Sequence, residues 1–139
     1  MLFALDVSTQ QGWAVLTVVG ELELATAPRL RQRVVGLVAD GCTHIIVDLS
    51  AVDFVDSVGL GVVVGALHRA RSRGGEVAVV GAVPRVRRMF EVTRLDEIVP
   101  MFADLPEALD AVGVADGVAP AIDAALDPPL DPLMAQRDG

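Results

Sequence analysis

The sequence predicts an α/β domain: a small mixed β-sheet of about four to five strands with helices packed on one face. Three observations lead there. Segments with strand-like apolar patterning alternate with segments of helical, 3.6-residue periodicity. The apolar residues are overwhelmingly aliphatic, with no Tyr and one Trp, so branched side chains have to fill a layered core. The first two strand segments are separated only by a turn, which makes them an antiparallel hairpin. The later ones are separated by helices, which makes their pairing parallel.

Taken in order, Leu2 to Ser8 sets Phe3, Leu5 and Val7 against Ala4, Asp6 and Ser8, the alternation of a half-buried strand. Gln10-Gln11-Gly12 is a turn, and Trp13 to Leu22 is a Val-rich second strand. Thr26 and Pro28 signal a helix start, with Thr26 as the cap candidate and proline in the first turn. That helix runs to about Ala39, carries Leu30, Val34, Leu37 and Val38 on its apolar stripe, and ends at Asp40-Gly41. His44 to Leu49 reads as a strand buried on both faces, followed by a polar turn that leads into Asp56-Ser57. A second helix is predicted from Ser57 to Ser72, with Leu60, Val63, Val64 and Leu67 on its stripe and Arg73-Gly74-Gly75 closing it. Gly59, Gly61 and Gly65 are placed on one face of that helix, open to close approach by a neighbour. Val58 and Val62 fall off the stripe and are expected to be exposed. Glu76 to Val80 is a strand, Pro84 to Thr93 a helix, Ile98 to Phe102 a strand and Pro106 to Val112 a helix.

The domain is therefore read as residues 1–112. Residues 113–139, rich in Ala, Asp and Pro, are read as a flexible acidic tail with a short helix near Ile122 to Leu126.

Composition excludes several classes. A net charge of −8 without a basic run argues against direct nucleic-acid binding. Arg69, Arg71 and Arg73, with Arg85, Arg87 and Arg88, are read as a solvated surface around two helix ends. The single cysteine, Cys42, leaves no internal disulfide, and with only His44 and His68 beside it a zinc site is short of ligands. No glycine-rich phosphate loop or nucleophile pair is visible, so no cofactor and no catalysis are expected. Neither a signal peptide nor an apolar run of about 18 residues is present, which predicts a cytoplasmic protein without a membrane span.

Asp56-Ser57 is the segment richest in chemical content. A serine at the mouth of a helix lies beside backbone N–H groups that lack intrahelical partners, where added negative charge is tolerated. The dipeptide alone is equally an ordinary helix cap.

The ordered set Gly20-Glu21-Leu22-Glu23, Ala25-Thr26-Ala27-Pro28, Asp48-Leu49-Ser50, Asp56-Ser57-Val58-Gly59-Leu60-Gly61, Gly74-Gly75-Glu76 and Val86 to Leu95 resembles the STAS domain of bacterial anti-sigma factor antagonists over about residues 2 to 112. The resemblance implies the STAS fold and a regulatory role in transcription under stress. The unphosphorylated antagonist binds an anti-sigma factor that is also a serine kinase, and sigma factor is freed. Phosphorylation ends binding, and a metal-dependent serine phosphatase restores it. The matching phosphoacceptor is Ser57. Asp56 is implied to orient it and to help coordinate the kinase's site, and Glu21, Glu23, Thr26, Val58, Gly59 and Val62 form the expected docking rim. A monomer or weak dimer is expected. The alternative is a constitutive STAS scaffold or adaptor that phosphorylation does not control. Three positions depart from the usual pattern: Val58 replaces Ser or Thr, Glu23 replaces Asp, and Arg94 replaces a glycine, which disfavours a left-handed backbone there.

Overall fold

The period-2 alternation at the N-terminus becomes a hairpin of β1 (Ala4–Gln10) and β2 (Trp13–Leu22), paired antiparallel from Ala4 opposite Val19 to Gln10 opposite Trp13. Its two turn residues, Gln11 and Gly12, both have positive φ (53° and 83°), the backbone that a tight hairpin turn requires. These strands belong to a computed structural model that describes residues 2–113 of the chain. The reading of 114–139, including the helix near Ile122, lies outside the described residues.

The chain continues through α1 (Ala27–Ala39), β3 (His44–Val55), α2 (Ser57–Arg71), β4 (Glu76–Val80) and α3 (Pro84–Val92). A 3₁₀ turn (Leu95–Glu97), β5 (Met101–Phe102) and α4 (Leu105–Val112) complete it. The strands lie in the order β1-β2-β3-β4-β5. Every pair after the hairpin is parallel, as the intervening helices require.

The two faces of the sheet are covered unequally. Ala14, Leu16 and Val18 of β2, Ile45 and Val47 of β3, and Val77 and Val79 of β4 pack under α1, α2 and α3 in the main core. The alternate residues Trp13, Val15, Ile46, Ala78 and Val80 face the other way and are covered by Ala108 and Leu109 of α4. Three helices thus share the single face that the sequence predicts, and the fourth closes the opposite one. Periodicity marks which residues of a helix are apolar but not which side of the sheet they meet. On that second face the Trp13 indole N–H donates to the Gly113 carbonyl at 3.1 Å and its ring stands edge-on to His44.

Several predicted details are corrected. No polar turn follows Leu49: β3 continues to Val55 and pairs with β2 as far as Leu22, across two register shifts. Those irregularities space the buried residues Leu49, Val52 and Val55 three apart, so the period-2 signature is lost although the strand is not. Thr26 does not cap α1 with its side chain. On α2, Ala66 and Ala70 are buried, whereas Val64 is half-buried and outside the main core and Val62 leans against it. Arg94 adopts the left-handed backbone (φ 62°, ψ 19°) despite its side chain, and its guanidinium pairs with Glu97 at 3.0 Å.

Phe90 is the largest fully buried side chain, whereas Phe54 is 42% exposed. Phe90→Ala is expected to lower stability by about 3–5 kcal/mol in urea unfolding. Phe54→Ala should stay within about 0.5 kcal/mol of the parent. Equal losses at the two positions would contradict this assignment of the core.

Candidate functional site

β2 and β3 are parallel neighbours, so their ends and the helices that follow them emerge side by side. Leu22 at the end of β2 pairs with Val55 at the end of β3, which brings the loop before α1 against the first turn of α2. An N–H in that first turn has no partner inside the helix. Asp56 supplies one: its Oδ1 accepts from Gly59 N at 2.8 Å. Its Oδ2 accepts from Leu24 N at 2.9 Å, so one carboxylate holds both a helix start and the neighbouring loop. The Asp56 N–H completes the tie by donating to the Leu22 carbonyl at 3.2 Å.

Gly59 is buried in the same contact. A Cβ built there would lie 2.4 Å from the Leu22 carbonyl oxygen, so the approach of α2 to β2 depends on a residue without a side chain. Gly61 and Gly65 do not share that surface. A Cβ at either meets nothing within 4 Å, which divides the three glycines expected on one face.

The loop facing Asp56 is tied internally. Thr26 Oγ1 donates to the Glu21 carbonyl at 2.6 Å and accepts from Glu23 N at 3.0 Å. The Glu23 carboxylate folds back to accept from Ala25 N. Thr26 therefore organises the turn ahead of the helix, the role that its hydroxyl takes up in place of capping.

Ser57, the first residue of α2, is exposed, as is Val58 beside it. Asp56, Glu21, Glu23, Thr26 and Val62 are half-buried. The residues singled out in the sequence thus cluster at one end of the sheet: Ser57 and Val58 face outward, Asp56 and Thr26 build the support, and Gly59 permits the packing. Two exposed apolar residues were missed. Leu24 is 70% exposed in the loop that Asp56 holds, and Phe54 lies at the end of β3, opposite Glu21. Leu24 was detectable as an apolar residue among the polar residues of a loop. The exposure of Phe54 depends on the irregular register and had no sequence signal. Among the described residues no group of three or more His, Cys, Asp or Glu is placed to hold a metal ion, and no helix is long and apolar enough to cross a membrane.

Fold and site define a small mixed-sheet domain that presents the start of one helix, with its serine, at the surface. The chain belongs to the STAS domain family, whose description it matches over residues 4–108. It is 33% identical to an anti-sigma-B factor antagonist of Staphylococcus aureus over 68% of this chain and 88% of that protein. Among solved structures it is similar to an anti-sigma factor antagonist from Mycobacterium paratuberculosis, with 35% identity, a TM-score of 0.73, and 80% of this chain and 94% of that one covered. It is also similar to the Bacillus cell fate determinant SpoIIAA in its phosphorylated form, with 26% identity, a TM-score of 0.62, and 80% of this chain and 99% of that one covered.

Two substitutions probe the support. Asp56→Ala removes the cap and the tie to Leu24 together, and is expected to lower stability by about 1–2 kcal/mol. The Gly59 and Leu24 amides should then lose protection from hydrogen exchange. Gly59→Ala should destabilise by more than 1 kcal/mol, since backbone has to move, whereas Gly61→Ala should gain up to about 1 kcal/mol from helix propensity. Urea unfolding of the pair checks this sign difference.

Proposed function

We propose that the chain is an anti-sigma factor antagonist, a binding module without catalysis of its own, switched by phosphorylation of Ser57. Unphosphorylated, it binds an anti-sigma factor that is also a serine kinase, and a sigma factor is released. Once Ser57 is phosphorylated the complex separates, and a serine phosphatase resets it. Residues 1–112 act as the STAS domain, residues 113–139 follow as an acidic tail, and the setting is the bacterial cytoplasm.

The observation that carries this reading is the exposure of Ser57 at the first position of α2 while Asp56 beside it is committed to Gly59 and Leu24. The hydroxyl is reachable by a kinase, and the residues around it are held by bonds that do not involve it. In the transfer Ser57 Oγ attacks the terminal phosphoryl group of the kinase's nucleotide. An O–P bond forms, the nucleoside diphosphate leaves, and the hydroxyl proton is released. The names of the relatives supply the partner class, and the phosphorylated form of a similar protein supports the modification.

The proposed contact surface is Val58 with Leu24 and Phe54, rimmed by Glu21, Glu23, Thr26 and Val62. Phosphate adds roughly −1.5 to −2 charges and three acceptor oxygens beside Val58, in the turn that Asp56 ties to Leu24. A partner seated there meets steric overlap and an uncompensated anion. A loss of about 1.4 kcal/mol already weakens a complex tenfold.

Intact-mass analysis with phosphosite mapping on protein purified from its own host tests the switch. A fraction heavier by one phosphoryl group, located at Ser57, is expected. Protein that stays unmodified through growth and stress would sink this reading and favour the constitutive scaffold. With the anti-sigma factor in hand, Ser57→Asp should weaken binding at least about tenfold by calorimetry, while Ser57→Ala should retain it.

A further inference from the structure

An apolar groove of about 360 Å³ runs between α1 and α2. Val34 of α1 and Val58, Val62 and Ala66 of α2 line it, and Arg31 and Arg69 stand on its rim. Its width comes from Gly61 and Gly65, which also line it and which no neighbouring atom requires to be glycine. Neither Arg31 nor Arg69 forms an ion pair among the described residues, in contrast to Arg71, which pairs with Glu76 at 2.9 Å. An apolar trough between two uncompensated cations fits an apolar segment that carries carboxylates.

The chain contains such a segment. Ile122 and Leu126 are four residues apart, and so are Asp123 and Asp127, each directly after one of the apolar pair. At helical spacing that order sets two aliphatic side chains on one face with the carboxylates along its edge. Residues 114–139 hold five Asp against one Arg in a chain whose net charge is −8. The reach is sufficient. Gly113 is fixed beside Trp13, the first residue of β2, and this is the end of the sheet at which α2 finishes with Arg69 and Arg71. A sheet and one helix layer separate it from the groove, roughly 20 Å. Residues 113–122 span up to roughly 30 Å when extended.

We propose that the C-terminal segment around Ile122 to Asp127 seats in the α1–α2 groove, with Ile122 and Leu126 on its floor and Asp123 and Asp127 against Arg31 and Arg69. Val58 lines the groove and adjoins Ser57, so the seated segment covers part of the surface assigned to the partner. That consequence rests on the proposed function, whereas the docking does not.

Paramagnetic relaxation in the full chain tests it. A nitroxide is attached at Ala124→Cys in a Cys42→Ala background, a position that points away from the groove when Ile122 and Leu126 face it. The expected result is loss of most of the amide signal at Gly61, Val62 and Gly65, with signals from β1 unchanged. Arg31→Glu with Arg69→Glu should restore those signals, and adding Asp123→Arg with Asp127→Arg should quench them again. Signals that persist at the groove, or quenching centred elsewhere, would overturn the proposal and leave the groove to another protein. Quenching that appears only when labelled and isotope-enriched chains are mixed would overturn it in favour of a second copy of the chain.

Discussion

The contact between the first turn of α2 and the end of β2 governs the rest of this surface. Two parallel strands that end together deliver two following segments to one place, and their backbones have to be accommodated within a few ångströms. Gly59 allows the helix to touch the Leu22 carbonyl, and Asp56 satisfies one N–H on each side of the junction. With either element altered, Leu24, Ser57 and Val58 would no longer have fixed relative positions. The sheet sets the distance and one carboxylate sets the orientation, so the exposed serine need contribute nothing to the fold.

Magnitudes set what charge added at the proposed site, Ser57, would do to the domain itself. The helix start favours an anion by roughly 0.3–1 kcal/mol. The neighbouring Asp56 carboxylate opposes it, and two unit charges about 5 Å apart in water repel by roughly 1 kcal/mol. For the isolated domain the two terms are opposite in sign and both on the order of 1 kcal/mol. A partner that removed water from the same spot would lose the solvent screening that keeps both terms small, so under the proposed function a phosphate there would weigh more heavily on the complex than on the domain.

Most of the architecture was legible because strand and helix periods are strong signals over seven or more residues, as in β2, α1 and α2. What escaped depended on interactions between elements. The extension of β3 through Val55 was hidden by register irregularities that convert a period of two into a spacing of three. The face chosen by α4 depends on Trp13 and its neighbours being left uncovered by the other helices. At the site, Ser57 and Asp56 came from the ordered resemblance, and the cluster they form with Glu21 to Thr26 followed from strand pairing. The hydroxyl of Thr26 illustrates the limit: threonine before a helix is a cap by propensity, yet two backbone groups of the preceding turn claim it first.

The glycines of α2 carry a further consequence. Gly59, Gly61 and Gly65 together make the helix less favourable by roughly 3 kcal/mol relative to alanine, and its valines add to that. Arg94 shows that this chain tolerates a left-handed backbone without glycine where the side chain can point into solvent. In α2 only Gly59 answers a packing need, and the helix is held by burial of Leu60, Val63 and Leu67 and by the Asp56 cap rather than by intrinsic propensity. Its first turn is secured by the Asp56 cap and by the close contact of Gly59 with Leu22. Ser57 stands exposed at this turn without being one of the groups that hold it, so a charge added to its hydroxyl would leave the cap and the Gly59 contact in place while changing the surface beside Val58.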